Sequence, residues 1–213
     1  MRGLIFDFGG VLWDMRWDVS AALAAKHGLE ELAIVDALYG CDDWRQLSIG
    51  AGTVDREAWH REAHERLEAL AGRPLPPLHQ HWREAQAWIE PNIELIRRLR
   101  PPYATAVLSN ADRTLRERFE GREGLLDLFD VFVCSAEAGV AKPDPKIYAL
   151  TADRLGLPPE ECVFIDDSER NVTAARETGM QAVYFRIDQG HDLEAQLAEL
   201  GVRAMFARRR KAL

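Results

Sequence analysis

Four groups of polar residues in this chain sit at or just beyond short apolar runs. They are Asp7 after Leu4-Ile5-Phe6, Ser109 and Asn110 after Val107-Leu108, Lys142 within Gly139-Val140-Ala141-Lys142-Pro143-Asp144-Pro145, and Asp166-Asp167 after Val163-Phe164-Ile165. Asp7 is followed by Gly9 and Gly10, which let backbone amides approach an anion closely. Ser109 and Asn110 stand ahead of a helical pattern, where a helix N-terminus can hold phosphate oxygens, although both types are also favoured N-caps. Lys142, fixed before a proline, can present one ammonium to an anionic substrate or to Asp7; a single Lys is otherwise solvated. Asp166 and Asp167 are adjacent like charges that cap a helix or need a cation. With Asp7, one or both make an oxygen site suited to Mg²⁺.

The elements that must position these groups read as five strands: Leu4 to Phe8, Tyr103 to Leu108, Val131 to Cys134, Cys162 to Ile165 and Ala182 to Phe185. Their apolar runs suit strands covered on both faces, and the later intervals are long enough for helical crossovers, so an α/β fold with a parallel sheet is expected. Open α/β sheets bind ligands beyond the carboxyl ends of their strands, where all four polar groups fall. Helices are expected at Glu94 to Arg100, stopped by Pro101-Pro102, at Pro145 to Leu155 and at Glu169 to Thr178, the last two ended by Gly156 and Gly179. From Trp17 to Trp88 the pattern is helical and shows no strand. Helices are expected at Val19 to His27, Glu30 to Leu38, Asp42 to Ile49, Asp55 to Leu70 and Leu78 to Trp88.

In order and position these elements match the four motifs of the haloacid dehalogenase-like superfamily, which the chain resembles over nearly its entire length. The likeness is strongest in Ile5-Phe6-Asp7-Phe8-Gly9-Gly10-Val11-Leu12, in Val140-Ala141-Lys142-Pro143-Asp144-Pro145-Lys146-Ile147-Tyr148 and in Phe164-Ile165-Asp166-Asp167-Ser168-Glu169-Arg170-Asn171-Val172. The resemblance implies a three-layer Rossmann-like core, residues 1–15 with 90–213, interrupted by an α-helical type 1 cap over residues 16–89. It implies that Asp7 is the covalent nucleophile, that Ser109 and Lys142 bind the transferring phosphoryl, and that Asp166, Asp167 and the Gly9 carbonyl join Asp7 around Mg²⁺. Gly9, Gly10 and Asn110 are further candidates for substrate contact.

One departure stands out. Most phosphatases of the superfamily carry a second Asp two residues after the nucleophile, as general acid and base; here that residue is Gly9. Loss of such a group lowers rates by roughly 10² to 10⁴. A phosphatase would then need an easily released leaving group, such as an anomeric sugar, or an acid from elsewhere, for which Asp14 is the candidate and an ordinary turn the alternative. A 2-haloacid dehalogenase needs no acid, but the superfamily's dehalogenases generally lack Mg²⁺ and the paired acidic motif. A non-catalytic scaffold is the third reading. The expected function is a Mg²⁺-dependent phosphatase acting on a small phosphorylated metabolite.

At 213 residues, 47% hydrophobic and 29% charged, the chain is an ordinary globular protein of at most two modules. Its net charge of −8 argues against nucleic acid as the main partner. The basic run Arg208-Arg209-Arg210-Lys211 reads as a solvated tail. Cys41, Cys134 and Cys162 are odd in number and widely spaced, which argues against disulfides and zinc and fits reducing cytosol. No apolar run reaches membrane-spanning length, so a cytoplasmic monomer or homodimer is expected. Trp13, Trp17, Trp44, Arg45 and the loop Gly50-Ala51-Gly52-Thr53 could face the pocket, with core packing the alternative for the aromatics. His60 and His64 stand i, i+4 with His81 remote and no third ligand nearby, and read as surface residues.

Overall fold

A computed structural model of the chain describes residues 1–50 and 55–204. The basic run at 208–211 and residues 51–53 of the glycine loop lie outside the described residues. In chain order the elements are β1 (Gly3–Phe6), β2 (Trp13–Asp14), α1 (Trp17–Lys26), α2 (Ala33–Tyr39), α3 (Asp42–Ser48), α4 (Arg56–Ala71) and α5 (Leu78–Glu84). There follow β3 (Ala87–Trp88), α6 (Glu90–Leu99), β4 (Ala104–Ser109), α7 (Leu115–Glu120), β5 (Val131–Cys134), α8 (Ser135–Ala138) and α9 (Pro145–Leu155). The chain continues through β6 (Cys162–Asp166), α10 (Glu169–Glu177), β7 (Gln181–Tyr184) and α11 (Leu193–Glu199).

The main sheet runs β5-β4-β1-β6-β7, and every neighbouring pair is parallel. The period-two pleat sorts its side chains into two cores. Leu4, Phe6, Val107, Val163 and Ile165 meet α6, α7 and α11, whereas Ile5, Ala106, Leu108 and Phe164 meet α9 and α10. Helices on both faces make the three-layer architecture that the apolar runs require. From β1 in the middle, the chain builds outward first through β4 and β5, then through β6 and β7, so the direction of winding reverses beside β1. The site lies at the strand ends there.

Between β2 and β3 the five helices enclose a separate apolar core built on Ile34, Leu38, Trp59, Leu67, Leu78 and Trp82. The expected helix from Leu78 to Trp88 is corrected: it ends at Glu84, and Ala87–Trp88 pairs antiparallel with Trp13–Asp14. Pairing wins there because Trp88 stands edge-on to Trp13, 5.1 Å between ring centroids, and packs with Phe8 and Phe119, contacts that helical periodicity cannot reveal. The helix expected from Glu94 begins at Glu90 instead, since Pro91 in a first turn starts a helix rather than barring one.

The histidines also depart from expectation. His60 and His64 are half-buried on α4 against buried His79 of α5, with ring centroids 4.8 Å from His60 and 6.4 Å from His64. The neighbouring third imidazole is therefore His79, and the Nδ1 atoms of His64 and His79 are buried without a hydrogen-bond partner. Burial, followed by His79, holds His60 down at about 4, and burial with His64 holds His79 below its ordinary range. As pH falls from about 6.5, the unfolded chain takes up protons that the fold refuses, so stability should decline until the folded His60 itself titrates near 4. Urea midpoints at pH 7.5 and 5.0 check this. His60→Gln should shrink the acid loss, and an undiminished loss in that variant would acquit the imidazole.

Candidate functional site

Three adjacent strands deliver the site. Asp7 follows the last residue of β1, Ser109 ends β4 and Asp166 ends β6, each at the carboxyl edge of the sheet. Lys142 comes from the loop between α8 and α9, and its side chain is buried between two carboxylates: Nζ stands 2.8 Å from Asp7 Oδ1 and 2.5 Å from Asp166 Oδ2. The ring of Phe164 lies 5.3 Å from the ammonium. The Phe8 amide donates to Asp7 Oδ1 at 2.7 Å. Asp166, fully buried, also accepts from the Ser168 amide at 2.8 Å and from Asn171 Nδ2 at 3.1 Å and 3.2 Å. Tyr148 donates to the Asn171 carbonyl at 3.0 Å, which supports that partner in turn.

Asp7, Asp166 and Asp167 each place a carboxylate oxygen within 4.8 Å of the others. Three carboxylates thus face a single ammonium. Burial lifts the Asp7 carboxyl to about 6 against the opposing pull of Lys142, with Asp166 adding to the rise. Burial, then Asp7 and Asp166, hold Asp167 well above the usual carboxylate range. Lys142, which burial alone would push down, is raised by Asp166 and Asp7. An oxygen-rich, over-negative cluster suits a hard divalent cation, so the donor set fits Mg²⁺.

Gly10 shows how closely the backbone approaches this cluster. Its φ is +75°, and a Cβ there would overlap the Asp167 carboxylate. Gly10→Ala should therefore lower unfolding stability by about 1–2 kcal/mol through left-handed strain and lower turnover at least about tenfold by displacing Asp167. Denaturant titration and steady-state rates check both effects. A variant equal to the parent in each would mean that Asp167 can relocate without loss.

The remaining expected site residues are distributed as follows. Ser109 is buried and lines the cavity beside Asp7. Asn110 also lines it, but its amide is occupied structurally: Nδ2 donates to the Lys142 carbonyl and Oδ1 accepts from the Lys142 amide, both at 2.8 Å. Gly9 lines the cavity too. Asp14 does not; it takes the turn alternative, with Oδ1 accepting from the Arg16 amide at 2.9 Å. Trp13, Trp17 and Trp44 line the cavity, whereas Arg45 pairs with Asp42 on the exposed face of α3. Cys41, Cys134 and Cys162 are buried and unpaired.

Sequence reasoning missed another part of the cavity's lining, Tyr39, Arg56, Trp59, Arg83, Asp112 and Arg118. These residues belong to different helices and to the loop after β4, so no local spacing links them. Polar residues expected on amphipathic helices were the only available signal. The cavity, about 790 Å³, is a half-open cleft lined by residues of the sheet edge and of the helical segment. Two polar contacts tie that segment down: Arg56 Nη2 to Asp112 Oδ2 at 2.9 Å, and the Ser135 hydroxyl to the Ser48 carbonyl.

A parallel sheet whose middle strands converge buried carboxylates, one ammonium and a hydroxyl on a half-open cavity defines an α/β enzyme. Residues 1–179 match the haloacid dehalogenase-like hydrolase family, and the chain belongs to it. A fructose-1-phosphate phosphatase from Escherichia coli (strain K12) is 26% identical over 193 residues, covering 87% of this chain and 96% of its own. A haloacid dehalogenase-family enzyme from Bacteroides thetaiotaomicron, crystallised with magnesium and inorganic phosphate, shares the fold with a TM-score of 0.64 at 23% identity, over 92% of this chain and 98% of that one. An L-2-haloacid dehalogenase from Xanthobacter autotrophicus, with chloropropionic acid covalently bound, shares it with a TM-score of 0.60 at 22% identity, over 94% and 82%. No helix among the described residues is long and apolar enough to cross a membrane.

Proposed function

We propose that the chain is a Mg²⁺-dependent phosphatase of small phosphomonoesters, with a sugar phosphate as one candidate substrate. One observation carries the reading over dehalogenation: Asp7, Asp166 and Asp167 bring carboxylate oxygens within 4.8 Å of one another, and one ammonium pairs with the first two. Displacing halide from carbon needs one carboxylate and no cation, whereas a carboxylate attacking a phosphoryl dianion must overcome repulsion. In this reading Asp7 attacks phosphorus, the P–O ester bond breaks, the leaving alkoxide takes a proton from solvent, and water then hydrolyses the aspartyl phosphate. Lys142 and Ser109 bind the phosphoryl oxygens, and the backbone at Gly9 and Gly10 lets the anion approach. Asp7, Asp166, Asp167 and the Gly9 carbonyl would hold Mg²⁺, which when bound neutralises charge on the phosphoryl group. Residues 1–15 and 90–213 form the catalytic core and residues 16–89 the cap that screens it from water. In this reading the enzyme works in the cytosol as a monomer or homodimer; the net charge of −8 supports a substrate other than nucleic acid, and the three buried free cysteines support a reducing compartment.

The test is phosphate release from aryl and sugar phosphates with and without Mg²⁺, beside halide release from 2-haloacids. Phosphate released only with the metal supports the proposal, and halide released without it replaces the proposal. Gly9 adds a sharper prediction. A Cβ there meets only Met15, with Sδ at 3.4 Å, so an Asp side chain can be accommodated. Gly9→Asp should raise turnover of alkyl relative to aryl phosphates by roughly ten- to a hundredfold, because only the alkyl leaving group needs a proton donor. A ratio that does not move would show that an acid already serves the site.

A further inference from the structure

One part of the cavity wall is cationic. Arg56 of α4, Arg83 of α5 and Arg118 of α7 line the same cavity as Asp7 and Lys142. A single carboxylate, Asp112, stands among them, and it is saturated. Its Oδ2 accepts from Arg56 Nε at 3.1 Å and Nη2 at 2.9 Å, and its Oδ1 accepts from the Thr114 amide at 2.8 Å and hydroxyl at 2.6 Å. Among the described residues, Arg83 and Arg118 have no carboxylate within salt-bridge distance. Arg118 is braced over the rings of Phe8 and Trp13, 5.9 Å from each centroid, one residue along the chain from Asp7 in the first case. Burial, with Arg56 and Arg83 beside it, holds the Arg118 guanidinium below its ordinary value, and burial with Arg56 does the same to Arg83. Tyr39 completes the wall, its hydroxyl pushed up to about 12 by burial while the three arginines pull the other way.

Arg56 and Arg118 are partly buried and Arg83 is more open to solvent; like charges gathered at one wall repel unless an anion joins them, and paired guanidinium groups match the fork geometry of an oxyanion. We propose that Arg83 and Arg118, with Arg56 behind them, form a subsite for a second oxyanion carried by the same substrate, a carboxylate or second phosphoryl at the end away from Asp7. This rests on the phosphatase reading of the Asp7 site and narrows it to phosphomonoesters with an anionic tail. The cavity of about 790 Å³ has room for both ends, and Trp44 and Trp59, whose ring centroids are 4.8 Å apart, also line it.

The test compares esters that differ only in the tail: glycerol 3-phosphate against 3-phosphoglycerate, and hexose 6-phosphate against hexose 1,6-bisphosphate. The ratio of kcat/KM, tailed over untailed, should be about ten or more in the parent protein. In Arg83→Gln, Arg118→Gln and the double variant it should fall toward one, with Arg118→Lys keeping part of it. A purely structural role would depress both members of a pair equally and leave the ratio unchanged, which overturns the subsite; arginines that merely steer anions to the mouth would lose the ratio at high ionic strength, which overturns it as well. Which pair shows the larger ratio tells a carboxylate site from a phosphoryl site. Thermal stabilisation of the Asp7→Asn protein by 3-phosphoglycerate and by glycerol 3-phosphate gives the same comparison without turnover. If no ester is hydrolysed, the phosphatase reading fails by itself, and this binding ratio still decides the subsite.

Discussion

Asp7→Asn should lose hydrolysis of every phosphomonoester by a factor on the order of 10⁴, while unfolding at no lower a temperature than the parent. The two halves of this expectation have one geometric origin. Asn fills the same space and can still accept from the Phe8 amide, so packing is retained. It removes one of the two carboxylates paired with the Lys142 ammonium, and with it part of the repulsion among Asp7, Asp166 and Asp167. What it lacks is an anionic oxygen able to form the acyl phosphate. Steady-state rates on an aryl phosphate, with a thermal melt of the same preparation, check both halves together. Activity within tenfold of the parent would remove Asp7 as nucleophile. A collapsed melting temperature would show that the Asp7–Lys142 contact is chiefly structural.

The convergence of Asp7, Ser109 and Asp166 was readable from the sequence because the physics that places them is local. Asp7, Ser109 and Asp166 each end an apolar run, and a parallel sheet brings the carboxyl ends of neighbouring strands together, so three short patterns predict one site. Lys142 needed more, since a lone Lys in a loop is uninformative until its company is known. Even then, the sequence did not show that the Asn110 amide would be spent on the Lys142 backbone, a pairing between residues on separate loops. Strand and helix ends moved by one to four residues for similar reasons: Pro91 opens α6 early, and Trp88 leaves α5 to pair with Trp13.

The arginine-bearing part of the wall was not readable. Arg56, Arg83 and Arg118 look like ordinary polar positions on three amphipathic helices. They converge only because the apolar faces of α4 and α5 pack against each other and α7 packs on the sheet. The same holds for His79, whose distance in sequence from His60 hides a contact made by adjacent helices. Pattern reasoning recovers what each helix buries, whereas the composition of a cavity shared by several helices depends on their mutual rotation.

Lys142→Met should abolish activity and lower stability by about 3–5 kcal/mol, the range seen when one partner of a buried ion pair is removed. For a chain of this length that is roughly 10 °C in Tm. The size follows from burial: the side chains of Lys142 and Asp166 are 1% and 0% exposed, so neither charge regains water when the other is lost. Met keeps the length and apolar stem of Lys and its contact with Phe164, which leaves the missing ammonium as the main change. Asp166 would then retain the Ser168 amide and Asn171 as donors, with no compensating charge. Adding Asp166→Asn should therefore return most of the lost stability without returning activity, since the phosphoryl group still lacks its cation. Paired melts of the single and double variants measure the coupling. If Lys142→Met melts with the parent, the ammonium is not what holds these carboxylates together, and the role of Lys142 reduces to catalysis alone.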